Sequence, residues 1–76
     1  MDKSILLAFG YKVKKLRLEK ELSQEELAFL SGLDRTYISG IENGKRNVSL
    51  KALYAIALAL DMNLSTLFKD VEVDNG

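Results

Sequence analysis

Ser23-Gln24-Glu25-Glu26-Leu27-Ala28-Phe29-Leu30-Ser31-Gly32-Leu33-Asp34-Arg35-Thr36-Tyr37-Ile38-Ser39-Gly40-Ile41-Glu42-Asn43 is the stretch that decides the fold of this chain. It opens on a capping box: the Ser23 hydroxyl can accept from the backbone of Glu26, and the Glu26 carboxylate can reach back to Ser23. The pattern predicts a helix over 24–31 with Leu27, Ala28 and Leu30 turned inward. Gly32 ends it, as glycine does at a left-handed cap. Leu33 and Asp34 make a short link, and Asp34 is a good N-cap for a next helix that closes near Asn43-Gly44.

Two short helices joined this tightly constrain each other. With Gln24 as the first of twenty positions, Ala28 is fifth, Gly32 ninth, Ile38 fifteenth and Ile41 eighteenth. Ala28 is small where the second helix crosses close by. Gly32 takes a turn conformation that other residues strain to reach. Leu27, Leu33, Ile38 and Ile41 form the wedge that holds the helices roughly perpendicular. At the eighth position Ser31 replaces an apolar side chain with a small hydroxyl, which the turn tolerates.

If Ile38 and Ile41 face in, then Arg35, Thr36, Ser39 and Asn43 point out together within roughly a 100° arc. Arginine can pair with guanine, asparagine with adenine, and threonine or serine with several base edges or a phosphate. A merely solubilising face would more often carry Glu and Lys. Gly40 costs this helix about 1 kcal/mol relative to alanine, which either a packing contact or a close DNA backbone would explain. Gln24 opens the preceding helix, where free backbone N–H groups favour a phosphate. Gly44-Lys45-Arg46-Asn47 places two cations in a flexible loop, either a backbone clamp or a solvated turn. Tyr37, on the flank, is open between core and phosphate contact.

Outward from this unit, Ile5, Phe9, Val13 and Leu16 recur at helical spacing with Leu6 beside them, a first helix over 4–20. Lys12, Lys14, Lys15 and Lys20 do not line one face and read as solvated surface. Arg17 sits one turn after Val13 at the edge of the apolar stripe, where a cation usually has a buried or half-buried partner. Ser49 caps a helix over 50–60 whose one charge is Lys51. Its apolar residues go nearly all the way round, and such a helix is covered on every side. A chain of 76 residues hardly has material for that alone. Asn63 or Ser65 caps a last short helix through Leu67 and Phe68. Val71-Glu72-Val73 is the one strand-like run.

The length fits one domain, residues 1–76, with the paired helices at about 23–43 and a dimerisation region at about 50–73. A domain this short buries only about 60% of its unfolded surface, which also favours a partner chain. No cysteine and no histidine are present, so disulfides and Cys/His zinc sites are excluded. No metal or cofactor is expected. Net charge is zero and 47% of residues are hydrophobic, a globular composition. Residues 11–51 hold nine of the eleven Lys/Arg and six of the eleven Asp/Glu, whereas Asp61 onward has one Lys and four acids. The more basic body leaves room for a polyanion. The opening apolar run of five residues is shorter than the roughly 7–15 of a signal peptide, and no run reaches the 18 or so of a membrane span. A cytoplasmic location without membrane association is the expectation. With no Cys or His nucleophile or base, no phosphate-binding glycine loop and no evident carboxylate cluster, the chain does not read as an enzyme.

Ser23-Gln24-Glu25-Glu26-Leu27-Ala28 together with Asp34-Arg35-Thr36-Tyr37-Ile38-Ser39-Gly40-Ile41-Glu42 resembles the xenobiotic-response-element (Cro/C1-type) helix-turn-helix family. The same string followed by Arg46-Asn47 is similar to the controller proteins of restriction–modification systems. The likeness covers about residues 5–68. Val48 departs from it, where many relatives carry proline, and this bears on the rigidity of the loop. The resemblance implies an all-α, five-helix, lambda-repressor-like domain that dimerises through its last helices on a pseudo-palindromic operator. By position it implies that Arg35, Thr36, Ser39 and Asn43 read bases. Gln24, Tyr37, Arg46 and Asn47 would hold the backbone, and Arg17 and Glu42 would form a buried structural ion pair.

Two subunits would then pack through Tyr54, Leu58, Leu64, Leu67 and Phe68, with Val71 and Val73 as further candidates. Their recognition helices would enter successive major grooves about 34 Å apart. The implied function is a controller that activates at one site and represses at higher occupancy. The partners are double-stranded operator DNA, a second copy and, at Glu25, Glu26 and Phe29, RNA polymerase as a candidate. The chain has no room for an effector domain, and no small-molecule ligand is expected. A phage-type repressor or antitoxin-like regulator would share this chemistry. A protein–protein adaptor is the competitor from another class, and it predicts no salt-sensitive DNA binding.

Overall fold

Helix starts in this chain are set by polar side chains that satisfy otherwise free N–H groups. In the computed structural model, which describes residues 3–71, α1 (Lys3–Glu19) is followed by four such capped helices. At the head of α2 (Gln24–Ser31) the Glu26 N–H donates to Ser23 Oγ at 3.0 Å and the Ser23 N–H donates to Glu26 Oε1 at 2.8 Å. Asp34 caps α3 (Arg35–Glu42) by accepting from the Thr36 N–H at 3.1 Å. Ser49 caps α4 (Leu50–Ala59) by accepting from the Ala52 N–H at 3.1 Å. Asn63 caps α5 (Leu64–Phe68): its Oδ1 accepts from the Thr66 N–H and from the Ser65 hydroxyl, both at 2.8 Å.

Helix ends follow left-handed residues. Gly32 has φ 73° and closes α2, with the Leu33 N–H bonded back to the Ala28 carbonyl at 3.1 Å. After α1 and α4 the left-handed role falls to Glu21 and Asp61, each with φ 57°, and there the sequence has no glycine to mark the stop. Leu22 and Met62 then bond back to Arg17 and Ala57 at 3.1 and 3.0 Å.

The core is drawn from all five helices: Phe9 and Val13, Leu27 and Ala28, Ile38 and Ile41, Ile56, Ala57 and the adjoining Leu60, and Leu67. Packing is helix on helix, with α3 against α1 and α2, α4 against α2, and α5 against α1 and α4. The α1–α3 crossing is set by Gly10, where a methyl group would overlap the backbone carbonyls of Ile41 and Glu42. Among the described residues no strand occurs; of Val71-Glu72-Val73, residues 72 and 73 lie outside them.

Two expectations are corrected. Leu30 is 53% exposed and not inward. Only eight residues long, α2 turns the arc of Gln24, Leu27, Ala28 and Ser31 inward, and Leu30 falls roughly 100° away from its middle. Leu67 belongs to no subunit surface: it is fully buried in the chain's own core. The chain by itself covers one side of the fourth helix, as its length led one to expect. Ala52, Ile56 and Ala57 are buried, while Leu50, Tyr54 and Leu58, four residues apart and so on one face, are more than half exposed.

Candidate nucleic-acid interface

The turn at Gly32 sets α2 and α3 against each other so that the buried Leu27, Ile38 and Ile41 leave the opposite side of α3 to solvent. Arg35, Thr36 and Asn43 are exposed there and Ser39 is half-buried, with the Asn43 amide donating to Ser39 Oγ at 3.5 Å. The four residues thus share one polar, hydrogen-bonding face. This geometry is a helix-turn-helix with an uncommitted second helix.

Gln24 stands at the head of α2, eleven positions before Arg35, yet the two line one surface hollow with Arg17, Ser23 and Glu25. Its side chain is already engaged. The Gln24 amide donates to Glu42 Oε1 at 3.1 Å, a link that no spacing rule points to. Glu42 is in turn the acceptor of a two-pronged ion pair: Arg17 Nε donates to Oε2 at 2.7 Å and Arg17 Nη2 to Oε1 at 3.0 Å. A third donor, Arg17 Nη1, reaches the Leu22 carbonyl at 2.7 Å. Both side chains are nearly sealed from solvent, at 8% and 2% exposure, and among the described residues every buried side-chain polar atom has a partner. The pair therefore joins α1 to α3 and, through Gln24, to the head of α2.

The loop after α3 is tied to that helix. The Tyr37 hydroxyl donates to the Asn47 carbonyl at 3.1 Å and accepts from the Ser49 N–H at 3.4 Å. The Arg46 guanidinium lies over the Tyr37 ring, 5.0 Å from its centroid. Arg46 and Asn47 are exposed, and Tyr37 is half-buried. So Tyr37 is chiefly a staple for the loop, and its half-buried ring packs against the core, the first of the two roles the sequence left open. Gly44, with φ 70°, lets the chain turn beneath α1, where a methyl group would meet the Leu7 side chain and backbone.

On α4, α5 and the link between them, Tyr54, Leu58 and Leu64 line one surface hollow with Ala57, Asp61, Met62 and Asn63. Phe68 is not in it. Its ring packs on Phe9 with centroids 5.6 Å apart, and it lines a separate groove with Ile5, Leu6, Val48, Leu53 and Val71. Val73 lies outside the described residues. Among the described residues no group of three or more Asp or Glu is placed to hold a metal, and no helix is long and apolar enough to cross a membrane. The Glu26 carboxyl is held below its ordinary value, first by the Ser23 backbone N–H and second by the Ser23 hydroxyl.

Comparison with known proteins agrees with this class of fold. The family pattern described as helix-turn-helix matches residues 13–67. The control protein C.MunI of a Mycoplasma species is 58% identical over 69 residues, which are 90% of this chain and 93% of that protein. The crystal structure of the restriction–modification controller protein C.AhdI from Aeromonas hydrophila superposes with a TM-score of 0.81 at 54% identity, covering 83% of this chain and 96% of that one. The controller C.Esp1396I, seen as a tetramer in complex with its natural 35-base-pair operator, gives a TM-score of 0.81 at 43% identity, covering 88% of each chain. The chain belongs to the helix-turn-helix family and, within it, to the control proteins of restriction–modification systems.

Proposed function

We propose that this chain is a sequence-specific transcriptional regulator that binds a pseudo-palindromic operator as a homodimer and controls the genes of a restriction–modification system. It acts in the cytoplasm and is not an enzyme. The observation that carries the proposal is the outward face of α3, where Arg35, Thr36, Ser39 and Asn43 stand together over a buried wedge of Leu27, Ile38 and Ile41. In this reading those four side chains meet base edges, and Gln24, Tyr37, Arg46 and Asn47 meet the phosphate backbone. The second subunit docks on the exposed Tyr54 and Leu58 and the adjoining Leu64, and reaches Phe68, which is exposed beside its separate groove. Regulation comes from concentration and from filling neighbouring operators. Contact with RNA polymerase is part of the same proposal, through the exposed Glu25, Glu26 and Phe29 of α2.

The test is salt-dependent binding. Lys45 and Arg46 on each of two subunits would displace about four counterions from a duplex, so log K against log salt should fall with a slope of about −3 to −4. Native mass spectrometry should find two chains per site. If no duplex is bound at about 50 mM salt, the adaptor reading takes the place of this one.

A further inference from the structure

Gly40 lies inside α3, where alanine would be the better helix former. The side chain of Arg46 runs back across it. A methyl group on Gly40 would overlap Arg46 Cγ and come within 3.3 Å of Cδ and 3.5 Å of Cβ. No other residue outside the helix's own backbone is that near. Beyond Gly40 the guanidinium reaches the ring of Tyr37, one turn back on the same face. Gly40 and Tyr37 therefore form a track: bare backbone carries the arginine stem and an aromatic ring carries its head. The loop is fastened to the same two residues, since the Lys45 N–H donates to the Gly40 carbonyl at 2.9 Å and Tyr37 holds Asn47 and Ser49.

We propose that Gly40 is a positioning residue for DNA binding: its missing side chain lets Arg46 lie preset along α3, ready for a phosphate. This rests on the reading of Arg46 as a DNA contact. An arginine that is not held in advance loses rotamer freedom on binding, which is worth about 2- to 10-fold in affinity per side chain. The dimer carries two such arginines, so about 4- to 100-fold is at stake.

The test compares Gly40→Ala, Arg46→Ala and the double variant on the duplex that wild type enriches from a random pool. Thermal melting and NMR run in parallel. Gly40→Ala should melt at or a few degrees above wild type, because only the exposed Arg46 must move. Its affinity should fall about 4- to 100-fold, and its salt slope should shallow by up to about 2. In the Arg46→Ala background the same change should alter affinity less than twofold. Ring current from Tyr37 should shift the Arg46 Hδ resonances upfield in wild type and release them in Gly40→Ala.

Three results overturn the proposal while leaving the reading of Arg46 as a DNA contact in place. Gly40→Ala could bind within twofold of wild type while Arg46→Ala is weakened. Gly40→Ala could weaken binding equally in both backgrounds, so that the methyl meets the DNA itself. The Arg46 Hδ resonances could lie at random-coil positions in wild type. If Arg46→Ala binds as tightly as wild type, the reading of Arg46 as a DNA contact falls, and the proposal with it.

Discussion

Glu42→Ala removes the acceptor of three hydrogen bonds, two from Arg17 and one from Gln24. It leaves the Arg17 guanidinium, 8% exposed, without a counter-ion and bonded only to the Leu22 carbonyl. Breaking a buried pair from one side costs about 3–5 kcal/mol, because a charge is stranded in a poorly solvating site. At roughly 0.05–0.15 kcal/mol per residue a chain this long has about 4–11 kcal/mol of stability in total. The substitution should therefore remove a quarter or more of it. A melting temperature lower by about 12–40 °C is expected, at roughly 4–8 °C per kcal/mol for a domain of this size. The assay is urea and thermal unfolding followed by circular dichroism at one fixed chain concentration, since association shifts apparent stability by mass action. The control is Arg17→Met with Glu42→Leu, which removes both charges and keeps the volume. It should lie within about 2 kcal/mol of wild type, since well-packed apolar replacements of buried pairs are often neutral. A loss below about 1 kcal/mol in Glu42→Ala would refute the reasoning. So would a double variant as unstable as the single one.

Other expectations follow from the same contacts. Gly10→Ala should lower the unfolding free energy, read by urea denaturation, by about 1–3 kcal/mol in spite of alanine's better helix propensity, because the atoms in its way are backbone carbonyls of α3 that cannot swing aside. Ser23→Ala should cost about 1 kcal/mol of unfolding free energy through loss of the α2 cap. Because the Glu26 carboxyl is depressed in the folded state, its contribution is fully present above the ordinary value of 4.5 and is lost as pH falls through the lowered one. Glu26→Gln should flatten the stability curve over that window, read by thermal melts across the acid range. Leu58→Glu, at a 60% exposed position, should leave the fold intact and shift sedimentation toward the monomer.

Local chemistry was the legible part of this chain. The Ser23–Glu26 box, the Asp34 and Ser49 caps and the Gly32 stop each work within three or four residues, so they can be seen before any fold is known. The spacing of Leu27, Ile38 and Ile41 likewise fixed which side of α3 stays free. The misses all need the third dimension. Leu67 and Phe68 are adjacent and equally apolar. That one plugs the core while the other leans on Phe9 depends on where α5 meets α1. Leu30 satisfied helical periodicity, yet α2 is too short to cover a wide arc. The Gln24–Glu42 bond spans eighteen positions, and the close approaches at Gly10 and Gly40 come from a crossing helix and a returning loop. Glycine in a helix signals a close approach without naming what approaches.

The central claim is that the outward face of α3 reads bases. Selection of bound duplexes from a random pool, with wild type and Arg35→Ala side by side, tests it most directly. Wild type should enrich a two-fold symmetric site with half-sites about 10 base pairs apart, centre to centre. Arg35→Ala should lose preference at matching positions in both halves while keeping its salt-dependent affinity for unselected DNA. Enrichment of the same site with the same preferences by both proteins would contradict the account, as would a wild type that enriches no sequence at low salt.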